Sequence, residues 1–424
     1  MMYLQLKGQR NRLLLWLSLL LLQQQLIPLG SSFTLQCSIK QDSRRDFISH
    51  TAQVAGLAAL SGASRSAVAV QPQQQAQSPR PFVYRVDYTD PPVMVPYPTS
   101  LEGRAAKELA AADMVFLGHH RGEDADHQLE ADIISRIAGS GRVVVGLEMV
   151  EQQFQPALDA YIRKDIGNLE EADARLKRDT EWDERWAWSI EGYLPVLHLA
   201  RSRGMKLVAL SPDTESLDKV LAKGLEALDP EDRERYVADP KAFVDYVKDP
   251  GFNVYANKVI TPGFTAEAEE AGLTRQNYFS ARLLWDEAVA SKAARTVAES
   301  SARGKEQTLV VLQGLEHVKY GFGSSGRAQR LKLMERAEPL SVRTVLLNPT
   351  AEDSLSPTTN LRLALAYAED LYALKPLSNY VWYSTMPKPN QLTRMMDPED
   401  SLLGRFQLYD LKDLTEDTEV TGKQ

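Results

Sequence analysis

The sequence predicts an α/β protein: a parallel-sheet core with helices on both faces and an α-helical cap inserted over one end of the sheet. Short aliphatic runs recur along the chain, helical patterns lie between these runs, and one long polar stretch interrupts the alternation. The chain has 424 residues, of which 43% are hydrophobic and 25% are charged. This composition is that of a globular protein with one large domain or two modest ones.

Five continuous β-branched or aliphatic runs mark the predicted strands. None of them alternates between apolar and polar residues, which indicates strands that are covered on both faces. The runs cover residues 114–117, 143–147, 207–210, 309–312 and 344–347.

Helical spacing occurs between these runs. Four aliphatic residues within 129–137 are spaced i, i+4, i+5, i+8, as on the buried face of a helix. A second helix that includes residues 194–199 is expected to end at Gly204, because glycine is the common residue after a helix. Strands that alternate with helices predict a parallel sheet between two helical layers.

The main domain is predicted to cover residues 91–350. Within it, residues 213–275 have polar connections rich in Asp, Pro and Glu, and we predict an α-helical insert there. Residues 351–424 are predicted to form a helix over 361–374 and an irregular tail. Residues 70–90, which are rich in Gln, Pro and Ser in their first part, are predicted to be a linker.

The first 69 residues carry targeting signals and are set apart from the fold. Residues 1–33 have a basic start and a short apolar core, as a signal peptide does, and their end resembles the bipartite presequences of algae with complex plastids. Residues 34–69 resemble a plastid transit segment followed by a twin-arginine signal, with Arg44 and Arg45 before a weakly apolar core. The predicted destination is the chloroplast, and within it the thylakoid lumen.

Charge and cysteine content exclude several classes of protein. The chain has 49 basic and 57 acidic side chains and a formal charge of −8, so it has no basic excess with which to bind nucleic acid. Its single cysteine, Cys37, excludes an internal disulfide and any zinc or iron–sulfur site built from several thiolates.

Polar side chains follow the predicted strands at the points where the strands end. His119 and His120 come after the first run, Glu148 after the second, and His317 after the fourth, while His127 lies shortly beyond His120. Ligands of open α/β sheets bind beyond the carboxyl ends of the strands. The sequence therefore predicts a shared binding site at this edge of the sheet.

Four aromatic residues, Trp182, Trp186, Trp188 and Tyr193, crowd the approach to one predicted helix. They are either helix-packing core, since aromatic side chains dominate core energetics, or a flat apolar wall for a planar ligand such as a porphyrin. The sequence leaves both interpretations open.

Six blocks of sequence stand in one order along residues 110–347. The blocks are 115–120, Glu148-Met149, 155–161, Trp186-Ala187-Trp188 with 193–195, Tyr278 with 284–287, and 314–318. Together they resemble the ChaN-like haem-binding uptake family of the Tiki superfamily. The resemblance implies an α/β core with a helical cap, haem binding, and a homodimer formed around the ligand.

Haem is therefore the expected cofactor, and haem iron accepts His or Tyr as an axial ligand. The residues expected to contact it come from the strand ends, the aromatic cluster and the family blocks. They are His119, His120, His127, Glu148, Tyr161, Trp186, Trp188, Tyr193, Tyr278 and His317.

The chain departs from the superfamily at one motif. Hydrolytic branches resemble one another in a Gly-Glu-x-His motif after the first strand, whereas His119 and Arg121 stand at the Glu and His positions here. Arginine neither ligates a metal nor deprotonates, which weakens metal-dependent hydrolysis. Four residues could still assemble a mixed nitrogen and oxygen metal site: His119, His127, Glu148 and His317.

Three functional interpretations follow. The first is a lumenal carrier or sequestering protein for haem or another tetrapyrrole, with no catalytic residue. The second is a metal-dependent hydrolase, and the third is a photosynthetic assembly factor that contacts thylakoid membrane complexes and has an inherited, non-catalytic pocket. We expect the first, and we expect the protein not to be an enzyme.

Overall fold

One mixed sheet organises the part of the chain that carries the predicted site. A computed structural model describes residues 82–87, 93–97, 102–164, 167–248, 250–302, 304, 307–331, 339–355, 363–367 and 375–387. The strands are β1 (Phe82–Asp87), β2 (Val93–Tyr97), β3 (Met114–His119), β4 (Val143–Glu151), β5 (Lys206–Ser211), β6 (Thr308–Gly314), β7 (Val342–Leu347), β8 (Ala366–Tyr367), β9 (Lys375–Pro376) and β10 (Tyr380–Tyr383).

Eight of these strands pair in the order β2-β1-β10-β7-β3-β6-β4-β5, and β8 and β9 form a separate antiparallel pair. β1 is antiparallel to both of its neighbours, and every other pair in the large sheet is parallel. The five predicted runs are the five parallel strands β3 to β7. The α/β fold class predicted from the sequence is confirmed.

Both faces of the sheet are covered, as the continuous apolar runs indicate. Along β3, Met114 and Phe116 face one hydrophobic core, while Val115 and Leu117 face the other. All six residues of β3 are buried. Side chains of a strand point alternately to the two faces, so a strand between two helical layers must be apolar throughout.

The helices form the two layers. They are α1 (Glu102–Ala110), α2 (Asp124–Ala138), α3 (Gln155–Arg163), α4 (Leu169–Asp179), α5 (Trp182–Arg185), α6 (Ile190–Arg203), α7 (Thr214–Lys223), α8 (Pro230–Tyr236), α9 (Pro240–Tyr246), α10 (Pro250–Tyr255), α11 (Ala266–Glu270), α12 (Arg275–Ala302), α13 (Leu315–Val318) and α14 (Ser324–Arg330). α2 packs against α6 in one layer, and the long α12 packs against α7 and α14 in the other.

Two helix ends show how the sequence sets these boundaries. The Asp213 side chain accepts a hydrogen bond from the backbone N–H of Ser216, 2.8 Å away, and so caps the start of α7. Gly204 follows α6 with φ of +63°, a left-handed conformation that glycine adopts without steric cost. Gly204 is therefore the C-terminal cap that the sequence predicts.

The regular secondary structure described between β5 and β6 is helical, in the region where the helical insert 213–275 is predicted. α7 to α11 are joined by 3-10 turns at Leu225–Ala227 and Thr261–Gly263 and by a π turn at Ala256–Ile260. α12 then returns the chain to the sheet and brings one long face over the strand ends.

The structure differs from the sequence expectation at both ends of the domain. β1 lies inside the stretch 70–90 that we predicted to be a linker, and β8 lies inside the helix predicted over 361–374. β10 falls in the predicted tail but pairs with β7 in the large sheet. These strands are short, and pairing with distant strands decides their conformation more than local sequence does.

The predicted signal peptide (1–33), transit and twin-arginine segments (34–69) and the first part of the linker lie outside the described residues. Among the residues that the structure does describe, no helix is both long enough and apolar enough to cross a bilayer.

Candidate functional site

A cavity opens beyond the carboxyl ends of β4, β5 and β6. Counted to its open mouth, and including the solvent there, it encloses about 1020 Å³. Met149 and Ser211 contribute from the strand ends, and α7 and α12 form its helical sides. The cavity therefore lies where an open α/β sheet binds its ligands.

Three indole rings form the walls of this cavity. Trp186 and Trp188 follow α5, and their ring centroids lie 5.2 Å apart. Trp285 of α12 lies 6.4 Å from Trp186, with an angle of 31° between the ring planes. His317 is stacked on Trp285 at 6.4 Å and 23°. The cavity thus presents large flat surfaces, which suit a planar aromatic ligand.

One face of α12 supplies most of the chemistry of the helical wall. Tyr278, Ala281, Arg282 and Trp285 line the cavity with the spacing i, i+3, i+4, i+7 of a single helix face. The Tyr278 hydroxyl forms no hydrogen bond with another described residue. Burial raises the pKa of Tyr278, and the positive charge of Arg282 acts in the opposite direction.

Arg121 forms the charged floor of the cavity together with Glu148. Its Nε donates to Glu148 Oε1 at 2.8 Å and its Nη1 to Glu316 Oε1 at 2.5 Å. The guanidinium carbon also lies 5.3 Å from the centre of the Trp188 ring, a cation–π contact. Gly314 allows this arrangement, because a Cβ atom there would collide with the guanidinium of Arg121.

The His317 ring lies between a carboxylate and a guanidinium. Its Nδ1 lies 2.6 Å from Asp286 Oδ1, and its Nε2 lies 3.0 Å from Arg282 Nη1. A carboxylate only accepts and a guanidinium only donates, so Nδ1 carries the proton and Nε2 accepts. His317 therefore points a lone pair towards Arg282 at the edge of the cavity.

A buried group of two imidazoles and a carboxylate lies behind the floor. Glu130 of α2 accepts from Nδ1 of His119 at 2.8 Å and from Nδ1 of His127 at 3.0 Å. Burial alone would raise the pKa of Glu130, but the charge of His119 and the two hydrogen bonds outweigh it and lower that pKa to about 2. Nε2 of His127 donates to the Arg121 carbonyl oxygen at 3.1 Å, so both of its nitrogens face acceptors. This buried group supports the loop that carries Arg121.

His120 faces away from this group. Its Nδ1 lies 2.7 Å from Asp126 Oδ2 and its Nε2 lies 3.1 Å from Asp353 Oδ2. Burial disfavours its charge, but the hydrogen bonds and charges of the two carboxylates outweigh burial and raise the pKa of His120 to about 10. His120 ties the end of β3 to the segment that follows β7.

The residues predicted for the site fall into three groups. Five line the cavity: Glu148, Trp186, Trp188, Tyr278 and His317. His119, His127 and Tyr193 are packed behind the floor, with the Tyr193 ring 4.0 Å from that of His127. His120 belongs to the Asp126 and Asp353 cluster.

Tyr161 is not part of this site. Its hydroxyl donates to Asp173 at 2.6 Å, and its ring lines a small separate cavity beside α4. The aromatic cluster also divides: Trp182 and Tyr193 are core, 5.6 Å apart, whereas Trp186 and Trp188 form a cavity wall. Each of the two interpretations left open by the sequence therefore describes half of the cluster.

The predicted metal set of His119, His127, Glu148 and His317 does not form one group of ligand atoms within 4.8 Å of one another, although His119 Nε2 lies 3.8 Å from Glu148 Oε1. His119 and His127 share Glu130, whereas Glu148 is paired with Arg121 and His317 with Asp286. Of the described residues, His119, His127 and Glu130 are the group whose potential ligand atoms all lie within 4.8 Å of one another. In this arrangement the Glu130 carboxylate itself bridges the two imidazoles.

Sequence reasoning missed Glu130, Arg282 and Trp285 as site residues. Glu130 lies three residues after His127 and continues the apolar stripe of α2, so a carboxylate on a buried face was the available signal. Arg282 and Trp285 lie four and seven residues after Tyr278, which places all three on one helix face.

A sequence model of the family described as haem-binding uptake, Tiki superfamily, ChaN matches residues 105–327, just over half of the chain. The chain belongs to this ChaN-like family. A curated relative, the chloroplastic protein RETICULATA-RELATED 5 of Arabidopsis thaliana, is 24% identical over 255 residues, which are 58% of this chain and 32% of the relative. The chain thus spans about a third of the length of that relative.

Two solved structures resemble this ChaN-like chain at low identity. ChaN of Campylobacter jejuni, solved with cofacial haem, is 15% identical, covers 71% of this chain and 96% of its own, and has a TM-score of 0.43. A variant of the erythromycin esterase EreC is 10% identical, covers 71% of this chain and 95% of its own, and has a TM-score of 0.30.

The residues of the cavity fit the group that this family binds. Haem requires flat apolar walls, a ligand for its iron and a partner for its carboxylates. Trp186, Trp188 and Trp285 supply the walls, and Tyr278 has a hydroxyl that no other described residue engages. Arg282 supplies a positive charge within the same cavity.

Proposed function

We propose that this ChaN-like protein binds haem or a closely related tetrapyrrole in the cavity and carries or sequesters it. The observation that supports the proposal most strongly is the Tyr278 hydroxyl, which has no partner among the described residues and lines a cavity walled by three indoles. Tyrosine is an established axial ligand of haem iron.

Each wall residue has a role in this proposal. Tyr278 would hold the iron through its phenolate, and the positive charge of Arg282 opposes the rise in the pKa of Tyr278 that burial causes. Trp186, Trp188 and Trp285 would offer flat apolar surface to the ring and exclude water from it. Bound haem would supply a redox-active iron, and the protein would hold and shield that iron.

Hydrolysis is disfavoured by the partners of the polar groups. Arg121 places a permanent positive charge beside Glu148, where a divalent cation would otherwise be held. His119 and His127 both direct Nδ1 at Glu130, and Nε2 of His127 is bound to a carbonyl oxygen. Nε2 of His119 has no hydrogen-bond partner among the described residues, but the Glu148 carboxylate, 3.8 Å from it, is already engaged by Arg121. The described residues therefore do not pair a free imidazole with a free carboxylate for a metal-activated water.

The haem proposal is tested by titrating the protein with hemin and recording the Soret band. Tyr278→Phe should lower the affinity at least tenfold and change the visible spectrum, because the axial oxygen is lost while the ring remains. Tyr161→Phe is the matched control, since this tyrosine lies outside the cavity, and it should leave both unchanged. Failure of the wild-type protein to bind hemin would refute the proposal.

The same titration tests Tyr193 and His317, the alternative candidates for the iron ligand. Tyr193 is buried in the core with its hydroxyl 3.4 Å from the Arg121 carbonyl oxygen. Tyr193→Phe should therefore leave the hemin spectrum unchanged. If His317→Leu abolishes the spectrum and Tyr278→Phe does not, His317 is the ligand and our assignment is wrong.

We further propose that the protein acts in the thylakoid lumen of a plastid. The arrangement of residues 1–69 supports this, and the Arabidopsis relative is named as chloroplastic. A fluorescent fusion to these residues should enter thylakoids, and the double change Arg44→Lys and Arg45→Lys should stop it in the stroma. Fluorescence that stays in the cytosol with the intact leader would contradict the proposal.

The homodimer implied by the resemblance is part of the same proposal. Sedimentation of the protein with and without one equivalent of hemin should show a doubling of mass on loading. A monomer in both samples would show that the ligand is enclosed by one chain.

A further inference from the structure

The arginines that line the cavity differ in the number of carboxylates that they contact. Arg121 contacts two carboxylates, those of Glu148 and Glu316. Among the described residues, Arg282 forms no ion pair, and the one hydrogen bond of its guanidinium goes to His317. Arg282 thus brings to the cavity wall a guanidinium that no carboxylate contacts directly, although the charges of Asp286 and Glu316 act on it from a greater distance.

The third cavity arginine does not share this property. Arg185 at the rim contacts Glu151 at 2.9 Å, Glu181 at 2.7 Å and Glu215 at 3.0 Å. Its charge is more than balanced, so it would not attract a further anion. An anionic ligand group is therefore directed to the α12 wall rather than to the rim.

A donor without an acceptor lies on the same wall. The indole Nε1–H of Trp285, three residues after Arg282, is buried and has no hydrogen-bond partner among the described residues. Buried donors without partners are rare, since each costs free energy unless a ligand or water satisfies it. Guanidinium and indole N–H groups together form a donor-rich surface that fits a carboxylate.

We infer that Arg282 and the Trp285 N–H receive a carboxylate of the ligand, so that the cavity selects tetrapyrroles with free propionates over their esters. This inference rests on the proposed function and deepens it by naming the ligand feature that is recognised. Esterification removes the negative charge and leaves the Arg282 cation unpaired in a largely apolar cavity.

The test compares ligands that differ only in esterification. The wild-type protein is titrated with protoporphyrin IX and its dimethyl ester, and with hemin and its dimethyl ester, at one detergent concentration. The iron-free pair separates carboxylate recognition from axial ligation. Charge-assisted hydrogen bonds correspond to about a tenfold to hundredfold preference for the free acid.

Arg282→Gln should remove this preference, and Arg282→Lys should retain part of it, because lysine keeps the charge but not the planar donor geometry. Arg178→Gln is the matched control, since Arg178 is exposed on α4 away from the cavity, and it should keep the wild-type preference. If Arg282→Gln does not fold, Trp285→Phe tests the same contact by removing only the N–H donor. It should reduce the preference.

The outcomes separate the two proposals. Hemin binding with equal affinity for acid and ester overturns this inference and leaves the haem proposal standing. A preference for the acid that survives in Arg282→Gln also overturns it, because another group must then bind the carboxylate. Absence of binding by the wild-type protein to every one of these ligands overturns both proposals.

Discussion

Replacing Glu130 should lower the free energy of unfolding strongly, even when the new side chain has nearly the same volume. The carboxylate is fully buried and accepts hydrogen bonds from His119 and His127. A hydrogen bond to a charged group contributes about 1.5–3 kcal/mol, and removing one partner of a buried charged set costs about 3–5 kcal/mol. Glu130→Gln keeps one acceptor but directs an amide N–H at the other imidazole. It should lower the free energy of unfolding by about 3 kcal/mol.

The measurement is equilibrium urea denaturation at neutral pH, followed by circular dichroism, with the midpoint and slope fitted together. Glu130→Ala should cost about 4–5 kcal/mol, because a cavity is added to the lost hydrogen bonds. Glu234→Gln is the control for loss of a carboxylate charge, because that side chain is exposed, and its midpoint should stay at the wild-type value. A loss below about 1 kcal/mol for Glu130→Gln, with an unchanged slope, would refute this account of the buried group.

Two further predictions concern the neighbourhood of the cavity floor. Gly314→Ala should displace the Arg121 guanidinium, because the added Cβ would collide with it, and should lower hemin affinity; unchanged affinity and thermal midpoint would contradict the close packing. His120 stabilises the fold while it is protonated between Asp126 and Asp353, with a pKa of about 10 when folded and about 6.5 when unfolded. Its contribution should therefore be full below pH 6.5 and lost as the pH rises towards 10, so the stability difference from His120→Gln should shrink over that range in urea melts.

The centre of the fold could be predicted from the sequence because its signals are local. The run 114–117 needs only its own apolar residues to indicate a strand covered on both faces. β1 has no such signal: Arg85 and Asp87 interrupt it, and the buried residues Val83 and Tyr84 gain their partners from β2 and β10. A strand of this kind depends on pairing with β10, about 300 residues later in the chain, which a pattern of single residues does not contain.

The sequence predicts where the candidate site lies, but it does not predict all of the residues that form it. Strand-end position correctly directs attention to Glu148 and His317, since parallel strands bring their carboxyl ends to one edge. It does not tell which side of the edge a side chain faces, and so His119 was grouped with the cavity although it points at Glu130. Tyr161 and Tyr278 both lie in family blocks, yet only the three-dimensional structure separates a tyrosine bound to Asp173 from one that lines the cavity.

The departure from the hydrolytic motif accounts for the position of the proposed ligand contacts on a helix rather than at the strand ends. Arg121 neutralises Glu148, and the imidazole of His119 is engaged by Glu130, so the polar groups of the strand ends bind one another. Among the described residues that line the cavity, the unused donors and the free hydroxyl belong to α12. Ligand preference should therefore change with substitutions at Tyr278, Arg282 and Trp285. Substitutions in the buried groups around Glu130 and His120 should instead change stability.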